Sequence, residues 1–149
     1  MGADSFKVYY QKYNRMDKEL EGANDGYSPA TAYLSKIKSL KLLPSPLGLI
    51  HHTNNHITVR APNKQLGKHY ALALSSSMKY LSNTQVVQLP GNRLGDSGSA
   101  AIISSLVERV RQINLDNNKI GEEGMRKLSK WIESMGARCQ LEELSLEKN

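Results

Sequence analysis

At 149 residues and 39% apolar content, the chain has the size and composition of one globular domain, and no run in it approaches the length of a transmembrane span. A single cysteine, Cys139, excludes an internal disulfide. The polar N-terminus around Asp4 excludes a secretory signal, so a reducing, cytoplasmic setting is expected.

In chain order, the first expected element is a helix. Phe6, Tyr9, Tyr10, Tyr13, Met16 and Leu20 recur at three- and four-residue steps, with Asp4 or Ser5 as cap. Gly22 to Gly26 then interrupts the pattern. Residues 28 to 41 predict a second helix: Ser28 as N-cap, Pro29 at the first helical position, and Ala30, Tyr33, Leu34, Ile37 and Leu40 along one face. Pro44 and Pro46 are expected to end it. His51, His52 and His56 follow in a polar stretch, where no second cysteine or ordered carboxylate pair completes a zinc pattern with Cys139. No metal site is expected.

From there the chain repeats itself. Val87-Gln-Leu89-Pro-Gly-Asn92-Arg-Leu94-Gly95, Ile113-Asn-Leu115-Asp-Asn-Asn118-Lys-Ile120-Gly121 and Leu144-Ser-Leu146-Glu-Lys-Asn149 share two alternating apolar residues and an Asn three positions later. The match continues beyond the strand: Gly98, Ile102 and Leu106 fall four residues apart, as do Gly124, Leu128 and Ile132, which places each set on one helical face. Each unit therefore reads as a short strand, a turn and an amphipathic helix, with strands at 87–89, 113–115 and 144–146 and helices near 97–108 and 122–135. Upstream, Leu66, Gly67, Tyr70, Leu74 and Met78 keep the register of Leu94, Gly95, Gly98, Ile102 and Leu106 at a shift of 28 residues. With Ile57 and Val59 as its strand, this is an irregular first repeat whose Asn is out of register.

The Asn-to-Asn distances, 26 residues from Asn92 to Asn118 and 31 from Asn118 to Asn149, lie near the upper end for leucine-rich repeats and leave room for full helices. The pattern resembles the ribonuclease-inhibitor type of leucine-rich repeat, Leu-x-Leu-x-x-Asn-x-Ile-Gly-x-x-Gly-x-x-x-Leu. That resemblance, loose over 57–149 and close over 84–149, implies an α/β horseshoe-shaped solenoid with parallel strands on the concave face and helices on the convex one. Residues 1–55 are then expected to form an N-terminal helical cap and 56–149 the repeats, the last of them incomplete. Because the chain stops at Asn149, in a turn position, a continuing array in a longer parent protein is expected.

The repeated residue types have physical reasons. Apolar positions stack on their counterparts in the next unit, since one unit cannot bury its own hydrophobic face. A buried Asn can satisfy backbone groups at the bend between strand and helix. Side chains alternate across a strand, so the residues between the apolar ones face outward. They are Gln85, Val86, Gln88 and Pro90, then Arg111, Gln112, Asn114 and Asp116, then Glu142, Glu143, Ser145 and Glu147. A protein-binding scaffold or adaptor is the expected function, with Gln88, Arg111, Asn114, Asp116, Glu143, Ser145 and Glu147 as contact residues. Being outward, Asp116 is expected to matter little for stability.

Charge supplies a second reading. The net charge is +6, yet from Gly26 to Gly95 there is no Asp or Glu, while Lys36, Lys38, Lys41, Arg60, Lys64, Lys68, Lys79 and Arg93 contribute eight positive charges. The basic 26–95 region would attract nucleic acid or anionic membrane. Lys36, Lys38 and Lys41 lie off the apolar stripe of their helix, however, and no aromatic-interleaved motif accompanies them. A third reading follows from resemblance: activators of Ran-type GTPases use the same class of repeat, and Arg93 is placed to present a charged contact. The acidic tail of such activators is missing. No nucleotide-binding loop, nucleophile elbow or metalloprotease motif occurs, and Cys139 has no base beside it. No catalytic residue, cofactor or small-molecule substrate is expected.

Overall fold

The computed structural model describes residues 29–43 and 57–149. Helix α1 spans Pro29–Ser39; strand and helix then alternate as β1 (Thr58–Arg60), α2 (Gly67–Met78), β2 (Val86–Gln88), α3 (Gly95–Ser104), β3 (Gln112–Asn114) and α4 (Glu122–Met135). A short 3₁₀ turn, Gly136–Arg138, leads to β4 (Glu143–Ser145). The expected first helix and the three histidines lie outside the described residues, as does Ser28.

The four strands form one parallel sheet in the order β1-β2-β3-β4. Register is regular: Val59, Val87, Ile113 and Leu144 are consecutive partners, flanked by Thr58, Val86, Gln112 and Glu143 on one side and by Arg60, Gln88, Asn114 and Ser145 on the other. Parallel strands need a crossover, and α2, α3 and α4 supply the three. The helices pack in the same sequence, α1 on α2, α2 on α3 and α3 on α4.

Strand boundaries fall one residue earlier than the sequence pattern predicts. Leu89 and Leu115 lie just past the paired residues, but their amides still reach the next unit, to Asn114 O at 2.9 Å and Ser145 O at 3.0 Å. Both side chains are fully buried at the bend. Helix α3 is also shorter than expected. Past Ser104 the Ser105 and Leu106 amides bond to the Ile102 and Ile103 carbonyls, a tighter turn that still brings Leu106 into the core and lets Val110 follow it there.

Helix α1 ends before the two prolines rather than at them. Lys41 has φ 53°, the Leu42 amide donates to Ile37 O at 3.0 Å, and the Lys41 amide donates to Lys38 O at 3.1 Å. This is a Schellman closure with a lysine in the place glycine usually takes. The stripe Ala30, Tyr33, Leu34 and Ile37 is buried, and Leu40 is half-buried. Tyr70 Oη donates to Leu43 O at 2.6 Å, tying α2 to the segment after α1. Burial pushes the Tyr70 phenol up from its ordinary value, so the donor proton is retained at neutral pH.

The core runs through the repeating rows: Ala61, Leu89 and Leu115 beside the strands, Leu66, Leu94 and Ile120 at the turns, and Leu74, Ile102 and Leu128 on the helices. Apart from Ala61 these are the positions singled out by the apolar spacing; in the first unit the inward pair is Val59 and Ala61 rather than the expected Ile57 and Val59, because Val59 pairs with Val87 and leaves Ile57 55% exposed. One row breaks at its end. Val59, Val87 and Ile113 are at most 2% exposed, whereas Leu144 on the outer strand is 38% exposed, because no further strand covers it among the described residues.

Adjacent helices are also joined by a carboxylate. Asp96 Oδ1 on α3 accepts from the Gly121 amide at 2.6 Å and the Gly124 amide at 3.0 Å, so it caps α4 from the neighbouring unit. The N-cap residue of α4, Gly121, has no side chain to do this itself. A Cβ at Gly124 would run into Ile120 Cγ2 and Asp96 Oδ1, so the close approach needs glycine. Asp96→Ala is expected to cost about 1–2 kcal/mol, the range for a lost N-cap, in a urea melt. A change indistinguishable from that of an exposed-site control such as Ser97→Ala would contradict the capping role.

Candidate functional site

The buried asparagines set the geometry from which the outward residues project. Asn118 Oδ1 accepts the Asn92 amide at 2.9 Å, while its Nδ2 donates to Leu89 O at 2.8 Å and Asp116 O at 3.1 Å. Asn149 repeats this one unit on, with Oδ1 accepting the Asn118 amide at 2.8 Å and Nδ2 donating to Leu115 O at 2.8 Å. Asn92 serves the irregular first unit: its Oδ1 accepts the Lys64 amide at 3.0 Å and its Nδ2 donates to Ala61 O at 2.7 Å. The first unit thus has Lys64 where the others have Asn, and its amide donates to the next unit's asparagine as the Asn92 and Asn118 amides do. Each asparagine locks two successive bends together, which keeps the strands aligned and their outward side chains in straight rows.

All seven residues expected to meet a partner lie on or beside β2, β3 and β4. Gln88, Asn114 and Ser145 share one row with Arg60; Glu143 shares another with Thr58, Val86 and Gln112. Arg111 precedes β3 and forms a 3.4 Å ion pair with Glu142, both largely exposed. Such a pair adds little stability. Positive charge at Arg60 gives way to Glu142, Glu143 and Glu147 at the far side, a gradient along the sheet face.

Four of the seven are bonded to one another. Asp116 Oδ1 accepts from Ser145 Oγ and from the Glu147 amide, both at 2.7 Å, and Asn114 Oδ1 accepts the Asp116 amide at 3.0 Å. Asp116 is therefore a brace between β3 and β4 as well as an outward residue, which corrects the expectation that its loss would leave stability unchanged. Gln88 and Glu143 make no side-chain hydrogen bond among the described residues, so they carry the face without holding it together.

A second feature lies at the turns between strands and helices. Asn63, Gln65, Gly91, Arg93, Asn117 and Lys119 line an open polar pocket of about 300 Å³. All six have left-handed φ, between 50° and 68°. The sequence pattern singles out only Arg93 among them. The rest flank the repeat position one residue before or after, and that spacing was the available signal.

Cys139 is free and half-buried in the connection before β4. No group of three or more His, Cys, Asp and Glu residues that could hold a metal is formed among the described residues. No helix among them is long and apolar enough to cross a membrane.

No family model matches the chain. Among curated proteins it is similar to Tonsoku-like protein of Bos taurus, 30% identical over 105 residues, or 69% of this chain. The chain spans only 8% of the length of that relative.

Proposed function

We propose that the chain is a block of ribonuclease-inhibitor-type leucine-rich repeats, part of a solenoid, whose strand face binds another protein in a scaffolding role. The observation that carries this reading is the registered sheet face. Two rows of outward side chains run across four strands, held straight by buried asparagines and not consumed by the core. A polar surface with a charge gradient suits a macromolecular partner better than a small substrate. Similarity to a short segment of a far longer protein is compatible with a repeat block acting inside a larger architecture. On this reading the chain performs no catalysis, and its setting is cytoplasmic.

The test is site-directed photo-cross-linking in cells. Cross-linking side chains at Gln88 and Glu143 are expected to yield discrete, nuclease-resistant protein adducts. The same groups at Ser97 and Lys130, exposed on the helical side, are expected to yield none. Adducts confined to the helical positions would overturn the reading. Nuclease-sensitive adducts concentrated at Lys38 or Lys68 would replace it with nucleic-acid binding through the basic region.

A further inference from the structure

We propose that the turn pocket around Arg93 and Lys119 is a docking point for the carboxylates of an acidic protein segment. This deepens the reading of the chain as a protein-binding block, and rests on it, by giving the chemistry of one contact.

The two cations come from consecutive units at the same register position and line one pocket. Adjacent strands are separated by about 4.8 Å, so the bases of the two side chains are held at the spacing of neighbouring strands. Both residues are exposed, and neither forms an ion pair among the described residues, whereas Arg111, Arg126, Lys127 and Arg138 all do. Asn63 and Asn117 line the same rim, and Gly91 is needed for the close approach of Asn63, whose Oδ1 a Cβ there would collide with. A guanidinium-bearing and an ammonium-bearing residue lining one open polar site match a carboxylate. Arginine can engage such a group through two parallel hydrogen bonds.

A nucleic acid fits less well. Its phosphates follow one another at close spacing and call for a long track of cations, often with aromatic rings for stacking. Here two cations stand among amides, no aromatic ring lines the pocket, and the neighbouring strand ends carry Asp116 and Glu147. An acidic peptide can place single carboxylates at the pocket and keep neutral residues opposite those acids.

The experiment is an NMR titration of the isotope-labelled chain with a short peptide of alternating Glu and Ser. A Gln/Ser peptide and a short single-stranded DNA serve as comparisons. The Glu peptide is expected to shift the amides of Gly91, Arg93, Asn117 and Lys119, with binding lost on raising salt and weakened at least about tenfold in Arg93→Gln/Lys119→Gln. Ser97→Ala and Lys130→Gln, exposed on the helical side, are expected to leave the titration unchanged. Absence of shifts at these amides, or equal shifts with the Gln/Ser peptide, overturns the proposal. So does tighter binding of the DNA at the same residues. If the double variant loses its native spectrum, the salt series and the single variants carry the test. Peptide binding at the pocket without cross-links on the strand face would sink only the strand-face reading; cross-links without peptide binding would sink only this one.

Discussion

Asn118→Ala is expected to destabilise the chain by about 2–4 kcal/mol, because it strands a buried amide as well as removing a side chain. Asn118 is fully buried and bonds to both neighbouring units. Its loss leaves the Asn92 amide without its acceptor, while Leu89 O retains a bond from Asn92 Nδ2 at 3.0 Å. One orphaned buried donor costs about 1–3 kcal/mol, and the lost bonds and the space left behind add to it. Asn118→Asp separates acceptor from donor. It keeps an oxygen for the Asn92 amide but sets a negative charge against the Leu89 and Asp116 carbonyls. Neutralising that charge with a proton relieves the repulsion, so the deficit of Asn118→Asp should shrink as pH falls, while that of Asn118→Ala stays constant. Urea melts at neutral and acidic pH decide it. Asn149→Ala, at an exposed position, is the control and should lose less; equal losses at the two sites would show that the buried ladder is not what holds the bends.

Leu115→Ala should cost about 2–5 kcal/mol, the range for deleting a fully buried aliphatic side chain. Leu115 is 0% exposed at the bend beyond β3, between Leu89 of one unit and Leu146 of the next. Leu144 provides the comparison. It occupies the strand row of Val59, Val87 and Ile113 but is 38% exposed, so Leu144→Ala removes less buried area and is expected to cost less than about 2 kcal/mol. Measured in the same melts, similar losses for the two variants would mean that the outer strand is covered in solution. That outcome would point to self-association through β4, whose outer edge pairs with no further strand among the described residues.

Much of this organisation was legible from local pattern. Val87 and Leu89, and Ile113 and Leu115, alternate as strand residues must, and all four are buried. Leu128, Gly124 and Ile120 were placed correctly by the steps between them. The irregular first unit was harder, because Lys64 stands where the others have Asn and its inward pair is Val59 and Ala61 rather than Ile57 and Val59. Only the pairing of Val59 with Val87 settles that shift. Asp96 is a similar case: within its own helix it reads as an ordinary acid in the first turn, yet its bonds go to Gly121 and Gly124.

The sequence by itself therefore determined the alternation of strand and helix, the inward rows and the outward rows, since these depend on periods of two and of about four residues along the chain. Tertiary structure alone decided the relations between units. Asp116 became a brace because its carboxylate meets Ser145 and Glu147, and Arg93 became part of a pocket because Lys119 lies beside it. Those pairs are separated by 26 to 31 residues. Unit lengths of 28, 26 and 31 differ, yet the hydrogen-bonded register follows them and pairs Val59, Val87, Ile113 and Leu144, so the repeat sets which residues face each other while the folded structure decides which of their polar atoms meet.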